Sequence, residues 1–179
     1  MRALKIWVFA LITMTVGFGA QAASKTEIDA KVKGALQQLY KETPAAKELV
    51  AKARGVLVLP EVYKAGFGIG GEYGEGALLI NGTPADYYAT AAASFGLQVG
   101  AQVKSQVVLF MTSEALDNFR NSQGWKAGVD GSVALATLGA GGTFDSNTLR
   151  QPIIGFIFSN KGLMYNLTFE GSKFTKIDR

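Results

Sequence analysis

Phe95-Gly96-Leu97-Gln98-Val99-Gly100-Ala101-Gln102-Val103-Lys104-Ser105-Gln106-Val107 has a period of two. The odd positions are apolar apart from Ser105, and the even ones are Gly, Gln or Lys. Successive side chains of a β-strand point to opposite faces, so this pattern predicts a strand with one face on a core and the other in water. The same period recurs at Trp125, Ala127, Val129, Gly131, Val133 and Leu135, and again at Leu163, Tyr165, Leu167 and Phe169. Gly55-Val56-Leu57-Val58-Leu59-Pro60 is a short apolar run closed by Gly and Pro, which fits a buried strand. Asn81-Gly82 and Ser159-Asn160-Lys161-Gly162 carry turn residues between apolar runs. From Gly55 onward the chain is predicted to form a mostly antiparallel, curved or barrel-like sheet.

Before Gly55 the period is helical. Ser24-Lys25-Thr26-Glu27 has capping-box spacing. Ile28, Val32, Ala35, Leu36 and Leu39 then form one apolar stripe with Tyr40 at its margin. Glu42-Thr43-Pro44 interrupts the helix, and a second short helix over residues 44–53 ends at Gly55. One further helix is expected at residues 113–121, with Ser113 as cap and Leu116 and Phe119 facing the body. The predicted class is α+β: N-terminal helices packed on the sheet and one small inserted helix.

Residues 1–22 stand apart. Arg2 and Lys5 precede an apolar run from Ile6 to Phe18, and Ala20-Gln21-Ala22 has the small-x-small form of a cleavage site. A spanning helix needs about 20 apolar residues, so the run reads as a secretory signal cut after Ala22. The expected organisation is a signal peptide, 1–22, and a single domain, 23–179. Without the leader, 16 basic residues face 14 acidic ones, and the net charge falls from +4 to +2. Bulk charge therefore gives little support to nucleic-acid binding.

The chain has no His and no Cys. That removes the commonest general base, thiol nucleophiles and Cys/His zinc sites. The body carboxylates Glu61, Glu72, Glu75, Asp86, Asp117, Asp130 and Asp145 form no recognisable acid/base pair and read as solvated charges. Asp145-Ser146-Asn147 lacks the further acidic positions of a calcium loop. Gly66-Phe67-Gly68-Ile69-Gly70-Gly71 matches the dinucleotide string G-x-G-x-x-G, yet strand-like residues follow it where a helix is required. These glycines read as bends in a curved sheet, and Gly139-Ala140-Gly141-Gly142 as a loop. No catalytic residue, cofactor or metal site is expected.

The first helix is open to two readings. Lys25, Lys31 and Lys33 flank its stripe, and such lysines can reach anionic head groups while the stripe enters a membrane interface. The commoner arrangement is a stripe packed on the protein's own sheet, with the lysines in solvent.

Four ordered blocks resemble the SYLF domain family. They are residues 53–60 with 64–76, Ser94 to Gln102 followed by Val107 to Leu116, Asp130-Gly131-Ser132-Val133-Ala134, and Ser159 to Ser172. The resemblance covers roughly residues 30–178, and departs from the family pattern near Thr83-Pro84-Ala85-Asp86-Tyr87-Tyr88. It implies a non-enzymatic lipid-binding protein, exported to the periplasm or the periplasmic face of the cell envelope. The partner would be lipid or a membrane surface, anionic phospholipid included, with no nucleic acid. By position, membrane contact falls on the N-terminal amphipathic segment: Lys25, Lys31, Lys33, Val32, Leu36, Leu39 and Tyr40. Phe67, Tyr73 and Phe95 are candidates to line an apolar site. The alternative is a small outer-membrane β-barrel or a structural envelope protein, since alternation and export also fit a barrel.

Overall fold

The computed structural model describes residues 23–136, 142–162 and 168–179, with the backbone alone at 94–99 and 162. The leader, the Phe95 side chain, Gly139 to Gly141 and most of the 163–169 alternation lie outside the described residues.

Helix α1 (Lys25–Glu42) starts where the capping signal places it: the Glu27 N–H donates to Ser24 Oγ at 3.3 Å. The Glu27 carboxylate does not complete the capping box; it turns to Lys31 instead. The helix stops ahead of Pro44, and α2 (Ala46–Lys52) follows.

Two long strands come next, β1 (Gly55–Ile80) and β2 (Thr83–Phe110). Asn81 and Gly82 join them with φ of 50° and 76°, the left-handed pair that a two-residue type I′ turn requires. Pairing runs from Ile80↔Thr83 to Gly55↔Phe110. A straight hairpin of this length would reach about 85 Å. It bends instead at the glycine string, where pairing slips between Phe67 and Ile69 and Gly68 takes φ +71°. A Cβ on Gly66 would stand 2.5 Å from Gly70 Cα, although residues four apart in a straight strand are about 13 Å apart. The hairpin thus folds back over itself. At the crossing, a Cβ on Gly76 would lie 1.9 Å from the Val58 carbonyl oxygen.

The remaining strands extend each arm of the folded hairpin. β6 (Lys173–Ile177) pairs with the first half of β2, and β3 (Trp125–Lys126) pairs with β6. β5 (Ile153–Gly162) pairs with the second half of β2, and β4 (Ala134–Leu135) joins β5 in parallel. The result is a curled, mostly antiparallel six-stranded sheet whose two layers share β1 and β2. Leu57, Leu59, Leu78, Tyr88, Val108, Phe110, Trp125 and Phe174 fill the interior, together with Leu116 and Phe119 of α3 (Ser113–Asn121). The Phe119 ring meets Tyr88 at 4.7 Å and Phe110 at 4.6 Å. On the outside, α1 lays Ile28, Val32, Ala35 and Leu39 over Val56, Val58, Leu79, Val107, Leu109 and Phe156. That apolar outer face is covered by helix, whereas a membrane-spanning barrel leaves an apolar band facing lipid. The α+β class and the helix-on-sheet arrangement are as the sequence predicts.

Several local expectations are corrected. Residues 125–135 do not form one strand: Gly128 at φ +84° and a hydrogen bond from the Lys126 N–H to Asp130 Oδ2 (2.6 Å) make a turn, and Val129 is exposed. Residues 159–162 are not a turn; they form the last described part of β5, with a bulge at Ser159, φ 51°. Thr112 caps α3 in place of Ser113, its Oγ1 accepting from the Ala115 N–H at 3.2 Å. Asp145 caps a short helix, α4 (Ser146–Leu149), that no periodicity signals.

The largest correction concerns the alternation in β2. Gln102, Lys104 and Gln106, the face expected in water, are buried, and Ala101 on the other face is exposed. The polar set points between the layers because the hairpin folds over it. Glu72, also expected to be solvated, is buried opposite, 2.8 Å from Lys104 Nζ, and Asp86 is buried between Arg120 and Lys176.

Candidate functional site: the bend of the long hairpin

The interior is apolar where the arms of the hairpin begin and polar toward its bend. There Lys104 donates to Glu72 Oε2 and Gln106 Nε2 donates to Glu72 Oε1 at 3.3 Å, while Gln102 Nε2 donates to Asn160 Oδ1 at 2.5 Å. An ion pair shielded in this way resists separation, because removing either partner strands the other charge. Above it the chain presents the opposite chemistry. Phe67 is 83% exposed, Ile69 68%, Tyr63 54% and Tyr73 51%. Only Val129 and Leu149 join them as large exposed hydrophobics among the described residues, and both lie elsewhere in the chain. Concentrating exposed apolar side chains within eleven residues of one bend is what a binding surface looks like. Glycine explains the geometry: Gly66 and Gly70 close the turn, and Phe67 and Ile69 between them have no layer to pack on.

The charges around this bend are unequal. Glu72 and Lys104 cancel, Lys64 is buried, and Lys161 is exposed with no ion-pair partner among the described residues. The bend therefore carries one exposed, unpaired cation, Lys161.

Beside the bend, a cleft of about 470 Å³ opens between the start of α1 and β1. Its walls include Tyr63, Tyr73, Lys31, Glu61, Glu75 and Arg179. Lys31 Nζ bridges Glu27 and Glu61, 3.0 Å from each, and those hydrogen bonds raise its pKa. The Tyr73 hydroxyl donates to Glu75 Oε1 at 2.6 Å, which, with burial, holds its proton above the usual range. Arg179 also donates to Glu75 Oε1, so Oε2 of the same carboxylate is enclosed without a partner.

The structure divides the candidate residues into three groups. Val32 and Leu39 lie in the core and Leu36 and Tyr40 pack at its edge, so this stripe meets lipid only if α1 leaves the sheet. Lys25 sits 5.5 Å over the Tyr87 ring, and Lys33 is exposed on the outer side of α1. Lys31 and Tyr73 meet in the cleft, with Phe67 on the adjacent bend. The Phe95 backbone pairs with Ile69, and its side chain is outside the described residues. Sequence reasoning missed Tyr63, Ile69, Glu75 and Arg179. Ile69 had a signal: an apolar residue between glycines within a bend has no core position to fill.

The architecture is a curled sheet of the α+β class with one exposed apolar bend. Comparison is consistent with the SYLF resemblance of the sequence: residues 91–178 match the Ysc84 family model, described as Las17-binding protein actin regulator. The match takes in most of β2, from Ala91 onward, and everything through β6, whereas Tyr63, Phe67, Ile69 and Tyr73 precede it. No curated protein matches the chain as a relative.

Proposed function

We propose that this is a non-enzymatic lipid-binding protein of the bacterial cell envelope, exported with residues 1–22 removed and acting at the periplasmic face of a membrane. The observation that carries the reading is the exposed quartet Tyr63, Phe67, Ile69 and Tyr73 beside the exposed Lys161. Side chains of this size gain by entering an interface, at roughly 25 cal/mol per Å² of apolar area withdrawn from water. Lys161 near the bend, with Lys33 and Lys41 on the outer side of α1, favours anionic lipid without α1 leaving the sheet. No helix among the described residues is long and apolar enough to cross a membrane. The family description names an actin regulator, and actin has no place in a reading that exports the chain from a bacterium.

Co-sedimentation of the mature chain with vesicles containing anionic phospholipid tests this. The native chain is expected to pellet with vesicles, and the Phe67→Ser/Ile69→Ser variant to remain in solution with unchanged thermal stability. Undiminished pelleting of that variant would reject the bend as the contact surface.

A further inference from the structure

We infer that the cleft beside the bend is a headgroup site for a primary ammonium, specifically the phosphoethanolamine headgroup of a membrane lipid. The inference rests on the lipid-surface reading above and adds the chemistry of recognition. It starts from Glu75, whose Oε1 takes two donors while the enclosed Oε2 takes none. A carboxylate oxygen withdrawn from water without a donor is costly. The group now seated on Glu75 is itself a cation, the Arg179 guanidinium. Arg179 is the chain's own occupant of a cation site, and an imperfect one.

The surroundings fit an ammonium in its place. Tyr63 and Tyr73 line the same cleft and are each about half exposed, so their rings are available to a cation. An ammonium with three N–H groups can serve Oε2 as well as Oε1; a quaternary choline has no N–H to give. Lys31, on the same wall, spends two contacts on Glu27 and Glu61 and retains a third N–H, which suits the phosphate next to the amine. The cleft volume of about 470 Å³ accommodates so small a headgroup. Tyr63 and Tyr73 also belong to the exposed apolar quartet, so a lipid held here has its acyl end directed to the side that carries Phe67 and Ile69.

The test uses the mature chain with two probes. Vesicles in which phosphatidylethanolamine replaces phosphatidylcholine at constant anionic content should bind more tightly. Glu75→Gln should abolish that preference, a loss of about tenfold, as expected for one charge-assisted hydrogen bond. Arg179→Ala should strengthen the preference several-fold by vacating the site. Soluble phosphoethanolamine should shift the NMR signals of Tyr63 and Tyr73 in the native chain and not in Glu75→Gln, with Tyr63→Leu as a second variant should Glu75→Gln fold poorly. Equal binding to both vesicle types, with Glu75→Gln unaffected, overturns the headgroup site and leaves the lipid-surface reading standing. Binding of the soluble headgroup without binding to any vesicle overturns the surface reading and keeps the site.

Discussion

Glu72 and Lys104 face each other across the folded hairpin, 2.8 Å apart and almost fully shielded from water. They come from different arms, so their pairing fixes how one layer sits on the other near the bend. Lys104→Ala should destabilise the protein by about 3–5 kcal/mol in urea unfolding, because Glu72 is left charged and buried. Replacing both, as Glu72→Leu/Lys104→Met, should cost far less than the sum of the single changes. Additive losses in this cycle would show that the two charges do not interact.

Gly76 lies where β1 crosses itself, and a methyl there would meet the Val58 carbonyl at 1.9 Å. The neighbour is backbone and cannot swing aside. Gly76→Ala is expected to lower stability by about 3 kcal/mol or more. Gly71→Ala, with nothing within 4 Å of the new methyl, should fold normally, and paired thermal melts compare the two.

The position of α1 can be read from its two sides. Leu39 is wholly buried, and Leu39→Ala should cost about 2–5 kcal/mol whether or not lipid is present. Lys33→Glu with Lys41→Glu, on the exposed side, should leave stability within about 0.5 kcal/mol of the native chain and weaken binding to anionic vesicles. Full-strength vesicle binding by the double Glu variant would remove α1 from the contact.

Asp86 sets part of the acid response. Burial pushes its carboxyl up, but hydrogen bonds from Lys176 and Arg120 outweigh burial and hold it below the usual carboxylate range. A group depressed in the folded state contributes stability that is complete above its unfolded pKa, about 3.9, and is lost as pH falls through the folded value. Asp86→Asn should therefore be less stable than the native chain at neutral pH and lose less on acidification below about pH 4. Parallel acid limbs for the two proteins would contradict this.

The helices were legible because their signals are local. Ser24, the stripe from Ile28 to Leu39 and Pro44 each act within a few residues, and they set α1 and its end correctly. The β2 alternation was legible as a strand, since period two does not depend on what lies opposite. Which face would be inside was not: Gln102, Lys104 and Gln106 look solvated until the bend brings Glu72, 34 positions before Gln106, over them. The turn at residues 128–130 escaped for a similar reason, because alternation continues through Gly128 and Gly131 while their backbone does not. At the candidate site, Phe67 and Tyr73 could be singled out as apolar residues among glycines. Glu75 and Arg179, 104 positions apart, meet only after the whole sheet has closed.

The two layers share β1 and β2, with no strand boundary at the bend between them. Neither layer can detach as an intact substructure, since opening one requires breaking the strands that continue into the other. Amide hydrogens of β1 on both sides of Gly66 should therefore exchange through the same global opening, and the protein should melt as one cooperative unit. A domain that meets a surface with a bend rather than with a loop gains rigidity there: Phe67 and Ile69 are held out on a hinge that the fold does not allow to swing.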